Sequence, residues 1–177
     1  MTYLRHATRH VQQTVLDRIR AGLVTDEWLD VAEGAAPFGG NEILWQPGRM
    51  KESELVGITT VQSIVAPWFA SEPEPEPQEL GGGLVMVSHA LVIDVVGESD
   101  GVSLAITSDI MDRLTGLKPN TSRFEPVYDY SATPRTAVVG YQMEFVNVAR
   151  SRPEADDMRR TWNVIVADAE VFFTGNE

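Results

Sequence analysis

Two segments rich in β-branched residues, separated by a run of alternating Glu and Pro, constrain the fold of this chain most strongly. Residues 55–69 (LVGITTVQSIVAPWF) and 84–96 (LVMVSHALVIDVV) are typical of β-strands. Residues 71–83 (SEPEPEPQELGGG) cannot form a helix or a central strand, because Pro removes backbone donors and the Glu charges repel one another. The pattern predicts a long β-hairpin with a flexible acidic tip at 71–83.

The predicted hairpin is long for a chain of 177 residues. An extended strand over 84–96 spans roughly 43 Å at about 3.3 Å per residue, whereas a compact globule of this size is about 40 Å across. Apolar side chains occur on both faces of this strand: Val85, Val87, Leu91 and Ile93 on one, and Met86, Val92 and Val96 on the other. The hairpin therefore crosses the whole domain or extends beyond it, and an extending part requires a partner chain to bury it.

Two helices are predicted to pack on the sheet. Apolar residues recur every three or four positions across residues 5–21, which indicates an amphipathic helix that Gly22 ends. A second helix is expected to begin at a Ser103 cap and to end at Gly116.

The chain is predicted to close with a second hairpin, formed by residues 136–149 and 161–173. One face of its first strand is expected to carry Val139, Tyr141, Met143 and Phe145. The order helix, strands, helix, strands predicts one α+β domain over residues 1–177. Its mainly antiparallel sheet has the long β-hairpin and is packed by the N-terminal helix and one central helix.

Composition excludes several classes of function. The net charge is −12 and no continuous basic stripe is present, which argues against gripping nucleic acid. The chain has no Cys, so thiol catalysis and Cys-ligated metal sites are excluded. No apolar run approaches the roughly 18 residues of a transmembrane helix, so no membrane partner is expected.

No catalytic constellation is found, and we predict that the chain is not an enzyme and needs no cofactor. His6 and His10 have the i, i+4 spacing of two metal ligands, but no Glu follows in the pattern of a zinc hydrolase. Asp109 and Asp112 lie three residues apart, a spacing that is more typical of a solvated helix face than of an acid–base pair.

Contacts with another subunit or partner are predicted instead, because the chain carries charged and aromatic groups where a single subunit offers little to pack against them. The acidic tip is a natural opposite to the arginine-rich loop at 150–160. The predicted interface residues are Trp45, Arg49, Glu72, Glu74, Glu76, Leu91, Arg150, Arg152, Arg159 and Arg160.

The layout resembles the tail terminator proteins of long-tailed bacteriophages. The resemblance rests on the N-terminal amphipathic helix, the turn-rich WQPGRM, the hairpin ending in HALVIDVVGESDG, the helix SLAITSDIMDRLTGL and the closing GYQMEFVNV. It implies a hexameric ring that caps the tail tube, ends tube polymerisation and contacts the head-completion or connector protein. It also implies a place in the virion, at the head-proximal end of the tail, after assembly in the host cytoplasm. DNA passes through such a ring without specific binding.

Three other interpretations of the sequence stay open. Another head–tail connector or a tail tube subunit shares this plan of sheet and helix, but a tube subunit stacks rings indefinitely. A small acidic hydrolase would depend on carboxylates such as Asp109 or Asp156. A monomeric binding domain would not assemble at all.

Overall fold

The computed structural model describes six segments of the chain, and for residues 3–7, 75–77, 84 and 174 it describes the backbone alone. The segments are residues 3–29, 43–49, 63–70, 75–77, 84–151 and 162–174.

Within these segments the chain forms two helices and one sheet of seven strands, which confirms the predicted α+β class. The helices are α1 (Tyr3–Thr25) and α2 (Asp100–Leu114). The strands are β1 (Ile43–Trp45), β2 (Ser63–Phe69), β3 (Pro75–Pro77), β4 (Leu84–Val96), β5 (Phe124–Asp129), β6 (Thr136–Ser151) and β7 (Trp162–Thr174).

The sheet is mixed. Its strand order is β1-β2-β4-β7-β6-β5, and the short β3 also pairs with β4. β1 runs parallel to β2, whereas the other pairs are antiparallel. The prediction of a mainly antiparallel sheet is therefore confirmed in part.

The predicted long hairpin is also confirmed in part. β2 pairs with β4 from Ile64 opposite Val96 to Phe69 opposite Leu91, and residues 55–62 lie outside the described residues. Within the predicted tip, β3 pairs with residues 85–87 of β4. Proline is tolerated there because β3 is a short edge strand that needs few donors. The rest of the tip lies outside the described residues, so its flexibility stays a prediction.

Both helices pack on the same face of the sheet, which we call the inner face. The predicted stripe of α1 is confirmed by Val11, Val15 and Ile19, which are buried together with Leu23. These residues and the apolar face of α2 form one core with the inward side chains of the strands. The strand and α2 members of that core include Leu91, Ile93, Val95, Ile106, Ile110, Leu114, Met143, Phe145, Ile165, Ala167, Ala169 and Val171.

The prediction that Gly22 ends α1 is wrong, because the helix continues to Thr25. Gly22 instead makes room for a side chain of α2. A Cβ atom on Gly22 would lie 2.6 Å from Cδ of Arg113, which is closer than van der Waals contact allows. The glycine therefore marks close packing between the two helices rather than a helix end.

The predicted Ser103 cap is wrong as well, whereas the predicted end at Gly116 is confirmed. Ser99 is the N-cap of α2, and its side chain accepts a hydrogen bond from Val102 N. Ser103 is buried one turn into the helix, where it donates to Val95 O at 3.3 Å and accepts from Asn163 Nδ2 at 2.6 Å. Gly116 follows the helix with a φ of 74°, in the left-handed region that favours glycine.

The closing hairpin is present, but one predicted inward residue is misplaced. Met143 and Phe145 are buried as predicted and Tyr141 packs against the core, whereas Val139 is 94% exposed. The pairing of β5 with β6 shifts at this point, because β6 carries extra residues in a bulge that includes Gly140 at a φ of 82°. A bulge changes which side chains face the core, so strict alternation fails there.

We expect Gly97→Ala to lower the free energy of unfolding by about 1–3 kcal/mol through overpacking. Gly97 lies where the end of β4 meets α2, and a Cβ atom would lie 2.5 Å from Ser103 N. The matched control is Gly101→Ala, because no atom lies within 4 Å of its added Cβ. We expect this change to be neutral or to stabilise α2 by up to about 1 kcal/mol. Urea unfolding of both variants is the measurement, and equal midpoints would contradict the close approach at Gly97.

Candidate functional site

The predicted interface residues in the described part of the chain lie in different environments. Trp45 on β1 packs partly buried against the core, and Leu91 on β4 is fully buried beneath the helices. Arg49 and Arg150 are exposed. The backbone of Glu76 belongs to β3.

The other predicted interface residues cannot be placed. Glu72, Glu74, Arg152, Arg159 and Arg160 lie outside the described residues. The predicted contact between the acidic tip and the arginine-rich loop therefore stays a prediction.

The face of the sheet opposite the helices, which we call the outer face, carries apolar side chains that are only partly covered. Along β4 and β7, side chains that alternate with the buried core residues point to this face. Val166 of β7 is 39% exposed. Of its cross-strand neighbours, Val92 on β4 is half-buried and Ala149 on β6 is exposed. The outward residues of β4, β7 and β6 include Met86, Ser88, Ala90, Val92, Asp94, Val96, Trp162, Val164, Val166, Asp168, Glu170, Phe172, Gln142, Glu144, Val146, Ala149 and Ser151.

A carboxylate held by two indoles lies beside this apolar area. Asp94 of β4 is only 7% exposed. It accepts one hydrogen bond from Nε1 of Trp68 at 2.8 Å and another from Nε1 of Trp162 at 3.1 Å. Each carboxylate oxygen thus has a donor, which is what burial of a charge requires. The arrangement ties β2, β4 and β7 together on the outer face.

Charged groups border the apolar area on two sides. The guanidinium of Arg49 lies 5.2 Å from the ring centroid of Trp68, over β2. Acidic side chains lie on β7 and β6, where Asp168 accepts from Asn147 Nδ2 at 2.9 Å and Glu144 pairs with Arg123. The outer face therefore has a cationic border at β2 and an acidic border two strands away.

Asp109, one of the carboxylates considered for catalysis, is held in an ion cluster between α1 and α2, whereas Asp156 lies outside the described residues. Asp109 contacts Nζ of Lys118 at 2.6 Å and accepts from Nε1 of Trp28 at 2.7 Å. Asp26 accepts from Nε of Arg113 at 2.6 Å and contacts Lys118 at 2.7 Å. Burial opposes ionisation of Asp26, but the hydrogen bonds from Arg113 and Lys118 outweigh it and lower the pKa of this carboxyl. The cluster fastens the helices together.

A polar groove of about 390 Å³ lies between α1 and the segment around β5. Its charged groups pair with one another across the groove: Arg18 with Glu125, and Arg135 with Asp17. Tyr130 donates to Asp17 at 2.9 Å. Burial, together with the hydrogen bond to Asp17 and its negative charge, raises the pKa of Tyr130 to about 12. These pairs hold α1 against β5.

The two histidines whose side chains are described, His10 and His89, lie in separate environments. Among the described residues, no group of three or more His, Cys, Asp or Glu could hold a metal ion. His10 on α1 accepts from Tyr130 N at 3.0 Å, and its other nitrogen lies 3.4 Å from Asp129. His89 lies apart on the inner face of β4, edge-on to Phe69 with ring centroids 6.3 Å apart.

His89 is buried without a partner for one ring nitrogen. Its side chain is 2% exposed, and Nδ1 has no hydrogen-bond partner. Burial lowers the pKa of His89 from 6.5 to about 4, because the charged imidazolium is poorly solvated there. The folded state therefore binds this proton less tightly than the unfolded state does.

The sequence predicts only part of the outer face, through Arg49 and the apolar side chains of Met86, Val92 and Val96. Val166, Trp68, Asp94 and Trp162 were not singled out, although Trp68 and Trp162 sit at outward positions of strands that the sequence predicted. No protein-family model matches the chain, and no curated protein matches it either. None of the helices in the described residues is long and apolar enough to cross a membrane.

We expect His89→Leu to reduce the acid sensitivity of the fold. The lowered pKa costs stability as the pH falls from 6.5 towards 4, by about 3 kcal/mol at about 1.4 kcal/mol per pKa unit. At pH 7 the imidazole is neutral in both the folded and the unfolded state, so this loss of stability is absent there. Urea midpoints measured from pH 7.5 to pH 4 are the test, with Ser88→Ala on the outer face as the control. An unchanged pH dependence in His89→Leu would contradict this assignment.

Proposed function

We propose that the chain is a structural subunit of a phage tail that forms a ring of the tail-terminator kind. In this proposal the ring caps the tail tube, ends its polymerisation and offers its other side to the head-completion or connector protein. The chain's partners are copies of itself and these two proteins. It acts in the virion, at the head-proximal end of the tail, and it has no catalytic role.

The observation that supports this proposal best is the half-covered outer face of the sheet. Both helices occupy the inner face, so neither covers Val92, Val164 or Val166. A two-layer fold is normally solvated and polar on its free sheet face. Apolar side chains in that position favour a partner, and we propose that this partner is a second copy of the chain.

The size of this face is adequate for a stable contact. β4 and β7 pair along 13 residues, and three neighbouring strands of that length cover roughly 600 Å² at about 3.3 Å per residue and 4.8 Å per strand. Two such surfaces bury about 1,200 Å² in total, which exceeds the roughly 1,000 Å² expected of a biological interface. Small side chains such as Ala90, Ala149 and the valines also permit close packing of one sheet on another.

Charge supports association between identical subunits. Arg49 borders the outer face at β2, whereas Asp168 and Glu170 lie on β7. A second copy placed with its β2 side over β7 would bring opposite charges together. The net charge of −12 also suits a ring through which DNA slides without sticking. The long hairpin predicted over residues 55–96 would lengthen the same surface.

The experiment that tests the function is native mass measurement combined with electron microscopy of the purified protein. A terminator is expected to form single closed rings, six subunits in number, that add to the end of isolated tail tubes. Long stacks of rings would instead identify a tube subunit. A monomer that neither assembles alone nor binds to tubes would overturn the proposal.

We expect Val166→Asp to weaken subunit association on the order of 100-fold. An unpaired carboxylate buried at the contact costs several kcal/mol, whereas the 39% exposure of Val166 in the single subunit lets the variant fold.

The matched control is Val139→Asp, which introduces the same charge at a side chain that is 94% exposed in the β6 bulge. Its association is expected to equal that of the native protein. Subunit mass as a function of concentration is the measurement. Equal association of both variants would show that the outer face is not the contact.

A further inference from the structure

Among the described strands β5 lies at one edge of the sheet, yet no outward backbone donor from Phe124 to Tyr130 is left without an acceptor. Phe145 N donates to Arg123 O at 3.3 Å, so odd-numbered positions at the start of β5 face β6 and even-numbered ones face outward. An exposed row of such N–H groups would be a template for a further strand. Whether this edge can pair with another strand therefore depends on the hydrogen bonds of the backbone N–H groups at the four outward positions 124, 126, 128 and 130.

Helix α1 provides two of the acceptors. Tyr128 N donates to Thr14 Oγ1 at 3.1 Å, and Tyr130 N donates to His10 Nδ1 at 3.0 Å. Thr14 is 4% exposed, so its hydroxyl lies in the contact between helix and strand. One turn of α1 separates His10 from Thr14, which places both side chains on the same face of the helix.

The remaining outward positions offer no free donor either. Phe124 N donates to Ser122 Oγ at 3.1 Å. Pro126 has no N–H at all, and proline on an edge strand is a known obstacle to pairing. Each outward donor from Phe124 to Tyr130 is thus either bonded within the subunit or absent.

With free backbone donors, this edge strand would be prone to pair with a strand of another chain. Phe124 is 54% exposed and Tyr128 is 36% exposed, so the strand presents two large rings beside its backbone. Exposed apolar side chains on an edge strand promote pairing between chains. A second copy of β5, antiparallel to the first, would place the same rings on both strands.

The contacts of α1 with the segment after β5 keep the two guarding side chains in register. The Tyr130 hydroxyl donates to Asp17 at 2.9 Å and lies 3.3 Å from Gln13 O, and Arg135 pairs with the same Asp17. His10 also stacks on Tyr130, with ring centroids 6.4 Å apart. The helix is therefore fastened along the edge at three successive turns.

We infer that α1 is an edge guard, and that β5 is a latent strand-addition site for a second copy of the chain. His10 and Thr14 accept the hydrogen bonds that an added strand would otherwise accept. This inference goes beyond the ring proposal and does not depend on it. It assigns association to surfaces other than β5 for as long as α1 stays docked.

The first test uses the native protein. Amide hydrogen exchange of Tyr128 and Tyr130 is expected to be slowed at least 100-fold relative to an unstructured chain, as for the amides that pair with β6. Unprotected exchange at both positions would contradict the inference that α1 blocks this edge, whatever the oligomeric state of the protein.

The second test removes the acceptors and keeps the shapes. Thr14→Val preserves the branched side chain, and His10→Phe preserves a ring to stack on Tyr130. In the double variant we expect exchange of both amides to accelerate at least tenfold, and new dimers or larger species to appear by mass as the concentration rises. Adding Pro126→Val supplies one more outward donor and is expected to strengthen this association further.

The control is Thr25→Val, because the Thr25 hydroxyl donates to Ala21 O within the same helix and not to β5. It is expected to leave exchange and mass unchanged. Thr14→Val alone is the fallback if the double variant does not fold, since it should still accelerate exchange at Tyr128. A folded double variant with native exchange and native mass would overturn the inference.

Discussion

A long sheet with both described helices on the same face is the constraint on which the rest of this structure depends. β4 and β7 each have 13 residues and β6 has 16, whereas α1 and α2 both pack on the inner face. Burial of their apolar stripes against that face is the main favourable term in folding. The same arrangement leaves outer-face side chains such as Val166 only partly covered by the described residues, and the assembly that we propose rests on this exposure.

Polar contacts then fix where each helix lies. Hydrophobic burial is not directional, so it cannot by itself set the position of α1 along the sheet. The cluster of Asp26 with Arg113 and Lys118 fastens the C-terminal end of α1 to α2. The hydrogen bonds from Tyr128 and Tyr130 fasten the middle of α1 to β5. Together they hold the helix along one edge of the sheet.

The sequence allowed the class of fold and most elements to be predicted, because apolar periodicity reports which residues face a core. It failed where tertiary contacts override local pattern. Gly22 resembles a helix stop but accommodates Arg113, and Ser103 resembles a cap but bonds to Asn163 from a strand 60 residues away. The inward position predicted for Val139 from strict alternation is wrong, because a bulge in β6 interrupts the alternation there. The outer-face site was missed since only the strand order shows that Trp68, Asp94 and Trp162 are neighbours.

The blocked edge at β5 and the partly exposed outer face have different consequences for association. An edge offers backbone hydrogen bonds to any extended chain, so association there is poorly selective and propagates. A face offers side-chain shape and charge, so it selects its partner and its angle. Here α1 accepts the hydrogen bonds of Tyr128 N and Tyr130 N, while Val92, Val164 and Val166 are not fully buried on the outer face. Under the two proposals made above, this combination favours assemblies of defined size over open-ended sheets, because association would occur through the outer face and not through the edge.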